Sequence, residues 1–75
     1  MEDLSVYREY KNHIIHYEEM GGFLECFVVD KNCYGCAADK VAVADLSERG
    51  SVPEAVKFLF PKAKAFIDLR LESGH

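Results

Sequence analysis

Between His13 and Val29 the apolar residues fall into two short runs around a glycine pair. His13 to Glu18 contains β-branched Ile14 and Ile15 beside aromatic Tyr17, and Phe23 to Val29 is again rich in aromatic and β-branched residues. Such residues suit a pleated, half-buried surface, and Met20-Gly21-Gly22 between the runs supplies backbone able to reach positive φ. The pattern predicts an antiparallel hairpin. With Tyr17 set opposite Leu24, one face carries His13, Ile15, Tyr17, Leu24, Cys26 and Val28, and the other carries Ile14, His16, Phe23, Glu25 and Phe27. The first reads as the core face. The second leaves Phe23 and Phe27 partly exposed unless something covers them, which points to a partner surface.

The flanking segments complete the outline. Asp3 to Tyr10 has no clear period, so one helical turn and a lead-in strand both fit. Asp30 to Gly35 is a turn by composition. Beyond it, Val41 and Val43 alternate, whereas the alanines from Ala37 onward would also suit a helix as far as Leu46. A third strand is the preferred reading, because two strands alone make a marginal sheet. Ser47 to Gly50 is expected to be a loop. Ser51-Val52-Pro53-Glu54 has the spacing of a capping box, and Val52, Val56, Leu59, Ala63, Phe66, Ile67 and Leu71 then recur at helical intervals. Pro61 either kinks this helix or ends one helix near Leu59 and starts another. Lys64 and Asp68 are spaced for a solvent-side pair. The expected fold is α+β: an antiparallel sheet of about three strands packed against a C-terminal helix. It is one domain over residues 1–72, with 73–75 as a tail.

Composition narrows the function. The 75 residues hold thirteen acidic and nine basic side chains, a formal charge of -4. That balance argues against direct nucleic-acid binding, which relies on clustered Lys and Arg. No apolar run reaches the roughly 18–20 residues that cross a bilayer, and the acidic start lacks the features of a signal peptide, so a cytoplasmic setting is expected. Residues 1–50 hold ten acidic and five basic side chains, against three and four in residues 51–75. The acidity therefore belongs to the sheet half. No phosphate loop, nucleophile elbow or zincin motif is present, and a chain this short leaves little material for a substrate cleft. The expectation is a non-enzymatic protein-binding or inhibitor module. Glu18, Glu19, Glu25, Asp30, Phe23 and Phe27 would meet a basic, nucleic-acid-binding protein partner. A homodimer through an exposed edge, or through Phe23 and Phe27, would also supply area that a small monomer lacks.

Cys33-Tyr34-Gly35-Cys36 is the sharpest local motif. Two thiolates across a tight turn can reach one tetrahedral zinc ion, with Cys26 and His13 as the remaining ligands; His16 lies on the opposite face by strand parity. No cofactor is otherwise implied, and ordinary turn and core cysteines are the simpler reading, since three cysteines do not make a disulfide framework. A redox dithiol is the further alternative, because a C-x-x-C pair after a strand resembles thioredoxin-like proteins. Too few residues separate Cys36 from Ser51-Val52-Pro53 to hold that family's intervening elements. His16 and Glu25 are placed as a cross-strand polar pair.

Tyr10 to Tyr17, Phe23 to Val29, Tyr34 to Asp39 and Ala63-Lys64-Ala65-Phe66-Ile67-Asp68 together resemble small phage and mobile-element proteins. HicB-type antitoxins and several anti-CRISPR proteins use this strand-then-helix layout. The resemblance implies an inhibitor-type function and transfers no site residues. This chain departs from it by about twenty additional residues, Lys40 to Leu59, and by lacking the Leu-Pro-Gly-Cys-like turn of HicB antitoxins.

Overall fold

A computed structural model of the chain describes residues 7–33 and 35–73. Residues 1–6, which include the start of the Asp3–Tyr10 segment expected as a helical turn or a lead-in strand, Tyr34 and the last two residues lie outside it. Four strands form one antiparallel sheet in the order β1-β2-β3-β4: β1 (Tyr7–Tyr10), β2 (His13–Met20), β3 (Phe23–Asp30) and β4 (Asp39–Asp45). A single helical turn, α1 (Leu46–Arg49), leads into α2 (Val52–Ser73), which lies across one face. The α+β class is as expected, with a fourth strand in the position left open before residue 11.

That strand exists because Lys11 and Asn12 both adopt positive φ, 48° and 66°, and so form a two-residue turn between Tyr10 and His13. Paired positive-φ residues match the right-handed twist of the strands they join. Gly21 and Gly22, at φ 56° and 85°, do the same between Met20 and Phe23. This tight turn sets Tyr17 opposite Cys26 rather than Leu24. The correction is a shift of two residues, so every side chain keeps its expected face. A bulge between Cys26 and Phe27 then adjusts the pairing with β4, and both Val41 and Ala42 lean on the core.

The core consists of Ile15, Tyr17, Leu24, Cys26, Val28 and Ala44 from the sheet and Ala55, Leu59, Ala63 and Ile67 from α2. The four helical residues recur at intervals of four and form a single ridge. Its two alanines bring the helix axis close to the sheet. Val52, Val56 and Phe66 flank the ridge, while Leu71, expected in the core, is 43% exposed. The reason is length: 22 residues of helix extend about 33 Å, more than the roughly 27 Å of an eight-residue strand, so the last turn overhangs.

α2 begins where the capping pattern places it, the Glu54 N–H donating to Ser51 Oγ at 3.3 Å. It continues unbroken through Pro61 to Ser73, one residue past the expected boundary. Proline withholds an N–H from the carbonyl four residues earlier, that of Lys57. Lys57 and Pro61 both lie on the exposed side, where water can satisfy that group. The expected loop at Ser47–Gly50 is largely α1. Asp45 caps it by accepting from Ser47 N at 3.0 Å and Ser47 Oγ at 2.8 Å, and Gly50, at φ 100°, ends it. These bonds hold the Asp45 carboxyl below its usual range.

Asp68 does not pair with Lys64. It accepts from Lys11 Nζ at 2.9 Å and from the Tyr10 hydroxyl at 3.1 Å, tying α2 to the β1–β2 turn. The Lys11 hydrogen bond is the main reason its carboxyl is held below the usual range. Arg70 pairs with Asp39 and ties the same helix to the start of β4.

Candidate partner-binding face

Strand alternation and the observed register divide the sheet into a helix-covered face and an outer face. Cross-strand partners point the same way, so the outer face can be followed row by row. Glu9, Ile14 and Val29 form one row; His16, Phe27 and Lys40 the next; Glu18, Glu25 and Val43 the third; Met20, Phe23 and Asp45 the last. No element among the described residues covers these rows.

Exposure is concentrated at the hairpin end. Met20 is 57% exposed, Phe23 45% and Val43 44%, whereas Ile14, His16, Phe27 and Val29 are half-buried by their neighbours. His16 stacks on Phe27, with ring centroids 5.3 Å apart, and so does not face Glu25 as the sequence suggested. Glu25 instead lies opposite Glu18. Two carboxylates directly opposed across a ladder destabilise it, by a few tenths of a kcal/mol to about 1 kcal/mol. Lys40 relieves part of this through a 3.5 Å contact with Glu25, and Glu9 is paired with Lys31 at 2.9 Å. Glu18 has no cationic partner among the described residues. The result is an exposed apolar centre, Met20-Phe23-Val43, rimmed by Glu18, Glu25 and Asp45.

Four of the six residues expected to bind a partner, Glu18, Phe23, Glu25 and Phe27, therefore share this face. Glu19 and Asp30 do not. Glu19 is opposite Leu24 and Asp30 opposite His13, which places both on the helix side by strand parity. Asp30 accepts the Asn32 N–H at 2.9 Å and is occupied in shaping the next turn. Met20 and Val43 were missed. Their signal is the tight Gly21-Gly22 turn, which brings Met20 into the ladder, and the bulge, which sets the facing of β4.

The helix side has a different character. Arg8 and Lys64 lie over the Phe60 ring at 5.4 and 5.0 Å, Arg49 and Lys62 over Phe58 at 4.1 and 4.8 Å, and Arg70 over Phe66 at 4.9 Å. These cations shield half-buried rings and satisfy their own charge against the ring faces. Among the described residues no cation covers the exposed apolar centre of the sheet in this way.

The metal-ligating set is not assembled. Cys33 and Cys36 are bonded to each other, although three cysteines had argued against a disulfide. Cys26 is fully buried in the core. His13 is buried too, and its Nδ1 donates to the Lys11 carbonyl at 2.8 Å. Cys26 faces Tyr17, four residues along β2 from His13, a separation of about 13 Å and too far to share one ion. Among the described residues no three His, Cys, Asp or Glu side chains converge as a metal site. No described helix is long and apolar enough to cross a membrane.

Comparisons with family models, with curated proteins and with solved structures give no match, and so lend no support to the phage-inhibitor resemblance.

Proposed function

We propose that this protein is a non-enzymatic binding module whose outer sheet face docks a basic surface of another protein. One observation carries the reading: an exposed apolar centre of Met20, Phe23 and Val43 bordered by Glu18, Glu25 and Asp45, with Glu18 and Glu25 opposed at a cost to the fold. Apolar anchors within a charged rim are the anatomy of a protein interface. A cationic partner would relieve the Glu18–Glu25 repulsion on binding, so the same residues supply both affinity and steering. Basic grooves of this kind occur on nucleic-acid-binding proteins, and occupation of one would compete with nucleic acid. That makes inhibition the natural consequence.

Two consequences separate this reading from a passive surface. Glu18→Gln removes the opposed carboxylates and should raise the melting temperature by about 1–4 °C, from about 0.2–0.5 kcal/mol in a domain of this size, while weakening partner binding. A partner retained by the wild-type chain should be eluted by salt and should lose about tenfold or more in affinity to Phe23→Ala. Ala65→Ser, on the exposed side of α2, should bind as the wild type does. Equal retention by Phe23→Ala, or binding indifferent to salt, defeats the proposal.

A further inference from the structure

The β3–β4 connection carries chemistry that the outer face does not use. Its start is tightly held: Lys31 N donates to the Asn12 carbonyl at 3.0 Å and Cys33 N to the Asp30 carbonyl at 3.2 Å. On this support Cys33 and Cys36 form a disulfide that closes a ring across only two intervening residues. A loop so short removes little freedom from the unfolded chain, so the bond is poorly placed to serve as a structural staple. Neither cysteine belongs to the core. Cys36 is the exposed residue of the pair and Cys33 is half-buried, which makes Cys36 the side from which an external thiol would approach. The third cysteine is separated from this chemistry. Cys26 lies at 0% exposure under α2, and burial pushes its thiol up to about 11, which leaves almost no thiolate at neutral pH.

We propose that Cys33–Cys36 is a reversible thiol–disulfide exchange site that reacts with external thiols, independently of the partner-binding face. An external thiolate attacks Cys36 Sγ; the S–S bond breaks and Cys33 leaves as a thiolate that takes up a proton. A second external thiolate then attacks the external sulfur of the mixed disulfide and releases Cys36, also protonated in turn. The chain gains two electrons and two protons, and two external thiols become one external disulfide. Because the β3–β4 ladder and the core lie outside the ring, reduction opens the connection and leaves the fold in place.

The test equilibrates the full chain in glutathione buffers from oxidising to reducing, quenches with an alkylating reagent and locates the labels by mass spectrometry. Labels are expected at Cys33 and Cys36 together in one transition, with Cys26 unlabelled and cooperative melting retained. Survival of the bond in the most reducing buffer overturns the proposal, as does reduction that coincides with unfolding and labelling of Cys26. Failure to form the bond in the most oxidising buffer overturns it equally. A second arm acid-quenches the wild-type chain early in its reaction with glutathione and locates the mixed disulfide by mass spectrometry. Glutathione should be found several-fold more often on Cys36 than on Cys33, and equal occupancy refutes the assignment of Cys36 as the attacked sulfur.

Discussion

Truncation of Leu59 to alanine is expected to lower stability by about 2–5 kcal/mol. Leu59 is fully buried at the middle of the α2 ridge and is one of the largest side chains in the core. Its neighbours along that ridge, Ala55 and Ala63, are too short to fill the space it vacates. A domain of 75 residues has a total stability of about 4–11 kcal/mol, so the variant should sit near its unfolding threshold at 37 °C. Val43→Ala is the control: an apolar residue of the outer face, 44% exposed, whose truncation should cost less than about 1 kcal/mol. Urea unfolding of the two variants gives the comparison. Equal losses would place the core on the wrong face of the sheet.

The second large effect is alkaline unfolding. Burial pushes the Cys26 thiol from 9.0 up to about 11 and the Tyr17 phenol from 10.0 up to about 12. Both groups are neutral when protonated, so raised values in the fold mean that folding opposes their ionisation. Their contribution is fully present below pH 9. As pH rises the unfolded chain releases protons that the folded chain retains, and stability falls until pH 11 for Cys26 and pH 12 for Tyr17. Each shift corresponds to roughly 3 kcal/mol, and because the neighbouring Cys26 contributes to the rise at Tyr17 the two do not simply add; together they are a large fraction of the domain's stability. The melting temperature should therefore fall steeply between pH 9 and 12. Tyr17→Phe sharpens the test, because Tyr17 Oη is buried without a hydrogen-bond partner among the described residues. Deleting that hydroxyl should stabilise the fold at neutral pH by about 1 kcal/mol and weaken its alkaline sensitivity. A melting temperature that is flat from pH 8 to 12 would contradict the burial of both groups.

Most of the fold was legible in the sequence where local pattern and tertiary packing agree. Ile14, Ile15 and Tyr17 beside a Gly-Gly turn identified the hairpin, and its face assignment survived a register error because the error was an even number of residues. The capping pattern at Ser51 and the apolar spacing beyond it identified α2. What escaped was information held elsewhere in the chain. β1 was hidden because Lys11-Asn12 carries no glycine to announce its turn. Asp68 seemed to belong to Lys64 because pairing along a helix is visible in sequence, whereas Tyr10 and Lys11 reach it only after β1 is folded against the sheet.

The candidate site shows the same division. The acidity of the sheet half was evident from composition, but its distribution depended on parity at each carboxylate. Glu18 and Glu25 face outward; Glu19 and Asp30, one and five residues from them in sequence, do not. Met20 and Val43 became part of the apolar centre only through the tight turn and the bulge. The cysteines were obscured by their odd number, since Cys26 belongs to the core and only the other two are paired.

Site-specific photocrosslinking at two positions distinguishes a docking outer face from a passive one. A photoreactive phenylalanine analogue at Phe23 reports the outer face, and the same group at Ala65 reports the exposed side of α2. The Phe23 probe is expected to capture one principal protein in the native host, through a peptide rich in Lys and Arg, and Glu18→Lys in the same chain should abolish the adduct. The Ala65 probe should yield none. Capture from Ala65 alone, or from Phe23 through an acidic or neutral surface that is indifferent to Glu18→Lys, would contradict it.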